Sequence, residues 1–456
     1  MVLTKDKGFY KSLIALSIPI ALQNFITFCV GLADNVMIGT LGDAAVSGVY
    51  MGSQVQTLLQ IFGAGIEGSM LIIAAQYWGR RDTERIGRIV SIGIRASVIF
   101  GLILSVLCIS APKFVISLFS NEQPIIDAGA EYLGILAFSF VFYCITASLI
   151  AAMRSVESAR IGLWVSLASL IINVALNYVL IFGKLGFSPL GVKGAAIATL
   201  VARICECAII VIYVLFIDKK LKFSLKELTR LDKELLRDFI KYGMPIVAGQ
   251  IVWAVNMMSN SAIMGRQNAE GVVAGLSIAN TMHNLAYVVM NGMAGAVGII
   301  TGKTIGEGKE SLMREYARTV QVLFLCLGLI TGLSVFLLKK PFISMYAVSG
   351  AAQAQANSLI NVISVTLIGT CYQAACLFGL VKSGGDTAFV FKNDTIFVFL
   401  VVLPSAIAAT AIGAPAWVVF ACLKCDQILK CFVALVKINR FDWMKNLTKG
   451  DRIAEN

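Results

Sequence analysis

Charge is scarce in this chain. Asp, Glu, Lys and Arg make up 14 % of its 456 residues, where roughly 25 % is usual for a soluble protein. That is too little to cover a water-facing surface of this size, and it excludes a charge-rich disordered chain as well. Histidine is nearly missing, His283 being the only one. No second CxxC or histidine cluster completes a zinc or redox site. Cys205-Glu-Cys207 and Cys422-Leu-Lys-Cys425 therefore read as small buried hydrophobes, like the other cysteines among the eleven, all of which fall in or beside apolar runs. A GxxxxGK[ST] phosphate loop is missing, which argues against ATP-driven work. So are the Asp-rich Mg²⁺ motifs that a membrane prenyl transferase needs. We expect no enzyme, no organic cofactor and no resident metal. What fills the chain instead is apolar: 58 % hydrophobic residues and 40 glycines. The composition is that of a polytopic membrane protein.

A membrane-spanning helix takes about 20 mostly apolar residues. Twelve such stretches are expected, roughly at 11–38, 46–75, 89–111, 127–151, 160–183, 191–217, 238–264, 272–301, 317–338, 353–381, 390–411 and 416–438. Lys5, Lys7 and Lys11 precede the first, which is too long for a signal-peptide core and reads as an uncleaved span. With the N-terminus inside, cytoplasmic segments hold 28 of the 38 Lys and Arg and the outer loops hold six. That asymmetry puts both termini in the cytoplasm. It also gives the net charge of +12 a plain origin, in basic loops facing anionic lipid, with no nucleic-acid module.

The one long charged stretch, 218–241, divides the chain, and the two halves align. Pro19 falls over Pro245, Asp34 over Asn260, Gly39 over Gly265 and Gln54 over Asn280. Gly65, Gly68 and Gly79 fall over Gly292, Gly295 and Gly306, and Arg154-Ser155 over Lys382-Ser383. Six spans per half is an even number, so the repeat is parallel. The expected fold is an all-α protein of twelve transmembrane helices in two six-helix bundles, related by a pseudo-two-fold axis along the membrane normal. Residues 1–217 and 238–440 would form the lobes, 218–237 the linker and 441–456 a cytoplasmic tail. Such repeats suit alternating access, in which one bundle rocks against the other.

Several segments resemble the MATE (multidrug and toxin extrusion) transporters. The run ADNVMIGTLGDAAVSG at 33–48, AAQYWGRRD at 74–82, NVALNYVLIFG at 173–183, LGVKGAAIAT at 190–199 and KSGGDTAFVF at 382–391 follow that family's order and spacing. The resemblance implies two six-helix lobes that export drug-like, often cationic compounds against an inward flow of H⁺ or Na⁺. It departs from the NorM-like pattern, which carries Glu and Asp on the seventh and tenth helices. Trp253 and about Cys371 stand there, so this chain is closer to the DinF-type branch. The C-terminal lobe then lacks those carboxylates. The first-helix Asp is kept as Asp34, and Asn173 and Asn177 stand where the family often has Asn and Asp.

Polar residues inside the spans are the candidate site. A carboxylate in hydrocarbon costs several kcal/mol unless neutralised or hydrated, so Asp34 marks a pathway unless it sits at the interface or a helix end. Asn173 and Asn177 are four apart and share a helix face. With Thr199 on the next span they are placed to bond Asp34, or simply each other across helices. These four make up the expected cation-coupling group, and their single formal charge favours H⁺ over Na⁺. Glu67 is expected ~20–30 Å from Asp34 in depth. It reads as a second proton station, a cation-attracting group, or a cytoplasm-facing carboxylate. Trp253, Asn256 and Asn260 form one stripe on the seventh span. With Gln54, Asn280, His283 and Glu67 they are the expected substrate cavity, packing being the alternative for each. Gly63-Ala-Gly65-Ile-Glu-Gly68 matches GxGxxG only formally, since it lies mid-span without a βαβ context. Arg203 with Glu206, and Asp426 with Lys430, read as local ion pairs near the cytoplasmic surface. Asp386 and Asp394 read as carboxylates in the loop and helix start after the tenth span, where they suit a helix N-terminus.

The expectation is therefore a monomeric, multi-pass protein of the plasma (inner) membrane. It would exchange H⁺, or less readily Na⁺, for small organic molecules of cationic or aromatic character. A flippase or exporter of lipid-linked or polar metabolites on a related fold is the rival. It calls for a strongly basic cavity, and few basic residues lie inside the expected spans away from their ends, Arg95, Arg203, Lys424 and Lys430 among them.

Overall fold

The computed structural model describes residues 3–230, 232–267, 270–346 and 348–448. Among the described residues the regular structure is helical, with no strand. Helices are the economical answer for an apolar chain, because each segment satisfies its own backbone hydrogen bonds away from water. The principal helices are α1 (Lys7–Ile38), α2 (Asp43–Gly79), α3 (Thr83–Ser110), α4 (Gln123–Leu136), α5 (Ser139–Ser155), α6 (Arg160–Phe182), α7 (Gly191–Ile212) and α8 (Lys233–Gly265). They continue with α9 (Val272–Gly306), α10 (Glu310–Ser344), α11 (Gly350–Gln373), α12 (Thr387–Ile396), α13 (Leu403–Ala411), α14 (Ala416–Leu423) and α15 (Asp426–Arg440). Short π-helical runs extend α7 through Tyr213–Ile217, extend α11 through Ala374–Lys382, and join α12 to α13 through Phe397–Val402.

Ten of the twelve expected spans are single helical segments long and apolar enough to cross a membrane. The fourth is the pair α4 and α5, bent by 53°. The twelfth is two short helices, α14 and α15, parted at Lys424 and Cys425. Lys424, Asp426, Lys430 and Lys437 fall within the expected stretch 416–438, more charges than in any other of the twelve. Twelve spans thus fit, with two of them broken.

The chain forms two compact units. One holds Met1–Ala21, Ala75–Arg80 and Met244–Asn456; the other holds Leu22–Ala74 and Arg81–Gly243. Each has its own apolar core. In the second unit Leu59, Ile116, Leu133, Leu136 and Phe140 are fully buried together. In the first, Leu359, Ile360, Ile363, Leu367, Val402 and Val419 are. Gly63, Gly65 and Gly68 lie within α2, as helix-packing glycines should.

Gly79 and Gly306, equivalent in the sequence repeat, meet in the first unit. A Cβ on Gly79 would fall 2.2 Å from the Lys303 carbonyl oxygen, and one on Gly306 would fall 1.9 Å from that of Gln76. Only glycine lets the two backbones approach so closely. Gln76 also anchors the chain end. Its Nε2 donates to the Lys445 carbonyl at 3.1 Å, and its Oε1 accepts from the Leu447 N–H at 2.7 Å. Trp443 is fully buried there. The first residues of the expected tail, 441–448, are therefore packed against the helices, while 449–456 lie outside the described residues.

Candidate functional site

The second unit assembles a row of polar side chains from α1, α6 and α7. Gly194 lets α6 and α7 touch, since a Cβ there would fall 2.7 Å from the Leu180 backbone. Ala195, Ala196 and Ala198 are buried along the same contact. This brings Thr199 opposite Asn173, whose Nδ2 lies 3.5 Å from Thr199 Oγ1. Asn177 Nδ2 donates to Asn173 Oδ1 at 3.2 Å and also to the Asp34 carboxylate. Asn173 and Asn177 are 1 % and 0 % exposed, while Asp34 is half-buried. The structure thus brings all four expected coupling residues together, with the carboxylate at the open end of a buried amide chain. Asn177 Oδ1 has no hydrogen-bond partner among the described residues.

Two further groups border this row. The buried Tyr132 lies beside Thr199 and in the field of Asp34. Arg203, one turn beyond Thr199 on α7, acts electrostatically on Asp34. Its Nη1 holds Glu206 at 2.6 Å, and its guanidinium sits 5.4 Å from the centre of the Tyr143 ring. The sequence reading found the Arg203–Glu206 pair but treated it as merely local. The i, i+4 step from Thr199 to Arg203 was the available signal that it shares the site.

Glu67 lies elsewhere in the same unit, half-buried on α2. Arg154 and Tyr143 are its electrostatic neighbours. Arg154 Nη2 donates to Gln23 Oε1 at 2.7 Å, in a space left open by Gly162. Gln54 is also half-buried on α2.

In the first unit, Trp253 is 47 % exposed, and Asn256, Asn260, Asn280 and His283 are half-buried. Asn256 Oδ1, Asn260 Oδ1 and His283 Nδ1 are buried atoms without a hydrogen-bond partner among the described residues. The His283 ring stacks on Tyr287 at 5.9 Å, and Lys424 is its nearest charge. Tyr287 is an i, i+4 neighbour on α9 that spacing alone can show, whereas Lys424 lies in a different span and only the fold brings its charge to His283.

One placement is corrected. Asp394 is not at a helix start: it is the eighth residue of α12, inside the continuous segment Thr387–Ala411. Its carboxylate is 2.9 Å from Lys430 Nζ, which also meets Asp426 at 2.9 Å. The Asp426–Lys430 pair thus extends across helices, and this lobe does carry carboxylates, though not where the sequence comparison looked for them. Asp386, which precedes α12, binds Lys437 at 2.8 Å and Lys445 at 2.7 Å.

The family model MatE matches residues 19–179 and 245–407. The uncharacterized transporter YisQ of Bacillus subtilis (strain 168) is 25 % identical over 410 residues, covering 88 % of this chain and 87 % of that protein. The probable multidrug resistance protein NorM of Thermotoga maritima is 25 % identical over 338 residues, 74 % of this chain and 72 % of that one. Among solved structures, a crystal structure of MATE in complex with MaL6 superposes with a TM-score of 0.85 at 18 % identity, covering 94 % of this chain and 96 % of that one.

Proposed function

Because this chain belongs to the MatE family of membrane transporters, we propose that it is a multi-pass exporter of drug-like organic compounds, driven by protons that enter as the compound leaves. The similarity to a probable multidrug resistance protein supports the substrate class. The observation that carries the coupling is the Asp34–Asn177–Asn173–Thr199 row. It holds one carboxylate and three neutral partners, so a proton can neutralise it outright, whereas a dehydrated Na⁺ would face a single formal charge. In this reading Asp34 gains a proton from outside and ceases to be an anionic acceptor for Asn177. α1, α6 and α7 then repack. Different proton affinities in the two conformations link the flows, and alternating access follows from that linkage. The 28-to-6 distribution of Lys and Arg supports a plasma-membrane protein with both termini in the cytoplasm. The absence of Glu and Asp at the NorM-like positions, where Trp253 and Cys371 stand, supports the DinF-type branch.

The test is transport in proteoliposomes with pH and Na⁺ gradients imposed separately. The pH gradient is expected to drive efflux and the Na⁺ gradient not. Asp34→Asn is expected to fold and insert, and to lose pH-driven efflux. Transport by Asp34→Asn at the wild-type rate, with normal proton stoichiometry, overturns this role and moves it to Glu67.

A further inference from the structure

Helical irregularities gather around charge in the unit that contains residues 244–448. The π-helical run Ala374–Lys382 ends on Lys382, and the run Phe397–Val402 begins three residues after Asp394. α14 and α15 part at Lys424. π-Turns and broken spans free backbone groups and re-aim side chains, and they recur where transporters hold solutes.

Lys430 is the centre of this group. Its side chain is 7 % exposed, and those of Asp394 and Asp426, both 2.9 Å from its Nζ, are 16 % and 3 % exposed. One ammonium shared by two carboxylates leaves a single negative charge. Lys382 acts on Asp394, and Lys424 acts on Asp426. Neither lysine has a carboxylate within 4.0 Å among the described residues; their close contacts are the rings of Phe378 and Phe420, at 5.6 and 5.7 Å. Three lysines against two aspartates leave one positive charge in excess. A buried charge without a partner costs several kcal/mol. Lys382 and Lys424 are only partly buried, so a solute can reach them. Asn393, next to Asp394 along α12, is 7 % exposed, and its Nδ2 has no acceptor among the described residues. The group therefore lacks one anion.

We propose that Lys382 and Lys424, with the Asp394–Lys430–Asp426 triad behind them, form an accepting site for the carboxylate of an organic substrate. The compounds exported would then include ones bearing an acidic group beside a cationic or aromatic body. This rests on the reading of the chain as an exporter, and its test uses no gradient or flux. Purified full-length protein in detergent is titrated at equilibrium with butyltriphenylphosphonium and with its (4-carboxybutyl) analogue. The wild type is expected to bind the carboxylate analogue about tenfold more tightly, the worth of one charge-assisted contact. Lys382→Gln and Lys424→Gln should each reduce that preference, and the double variant should abolish it. Lys424→Arg should retain it. Asp34→Asn should also retain it, which separates this site from the proton-coupling reading. Absence of any carboxylate preference in the wild type, binding of neither compound included, overturns the proposal. So does a preference that survives the double variant. If the double variant is not monodisperse, the single variants decide, and an unchanged preference in both overturns the proposal.

Discussion

Replacing Gly306 by Ala tests the backbone contact that joins the two equivalent glycines. The added Cβ would lie 1.9 Å from the Gln76 carbonyl oxygen and 2.7 Å from its carbon. An ordinary contact needs the two segments to part by ~1.5 Å, and a packed interior resists that. Overpacking of this kind costs about 1–3 kcal/mol. Gln76 cannot move freely, because its amide holds Lys445 and Leu447 at 3.1 and 2.7 Å. Loss of either bond adds about 1 kcal/mol. The control is Gly295→Ala on the same helix, where a Cβ meets nothing within 4 Å. There the better helix propensity of Ala should gain about 0.5–1 kcal/mol. The two variants should therefore differ by about 2–4 kcal/mol. Thermal unfolding in detergent, followed by intrinsic Trp fluorescence, is the assay, since the buried Trp443 reports on the chain end. Gly306→Ala is expected to melt below the wild type and Gly295→Ala at or above it. A Gly306→Ala protein as stable as Gly295→Ala would show that the contact is not tight, and the reasoning fails.

Three other outcomes are expected. Burial alone would raise the Asp386 carboxyl, but the Lys437 and Lys445 ammoniums outweigh it and hold it below its ordinary value of 3.8. Its contribution is then complete above that value and lost as the pH falls through the lower, folded value. Asp386→Asn should cost about 1–3 kcal/mol at neutral pH, and the gap from the wild type should narrow in acid below 3.8; a gap independent of pH contradicts this. Trp253→Ala should weaken binding of flat aromatic cations more than of small ones, since half of that ring is exposed beside Asn256 and Asn260; equal affinities in titration return it to a packing role. A single Cys at position 226 in a Cys-depleted variant should react with impermeant maleimide only from the cytoplasmic side, and labelling of intact cells from outside refutes the orientation.

What the sequence determined by itself is whatever depends on one segment at a time. Twenty apolar residues must become a helix in a membrane, so most spans were legible from composition. The Asn173–Asn177 spacing placed both amides on one face, and the small residues of 191–199 announced a close neighbour. The repeat marked Gly79 and Gly306 as equivalent without saying that they touch. Tertiary structure decided what depends on partners far apart in the chain. The bend between α4 and α5 interrupts no apolar run and is seen only in the fold, whereas the break at Lys424 falls where charge enters the twelfth apolar stretch. Lys430 finds Asp426 one turn away, which sequence can show, but it finds Asp394 thirty-six residues back only because α12 and α15 are brought together. The same holds for Arg203 toward Asp34 and for Arg154 toward Glu67. A buried charge must be balanced by whatever the fold sets beside it, and sequence spacing shows such a neighbour only when it lies within a turn or two of the same helix.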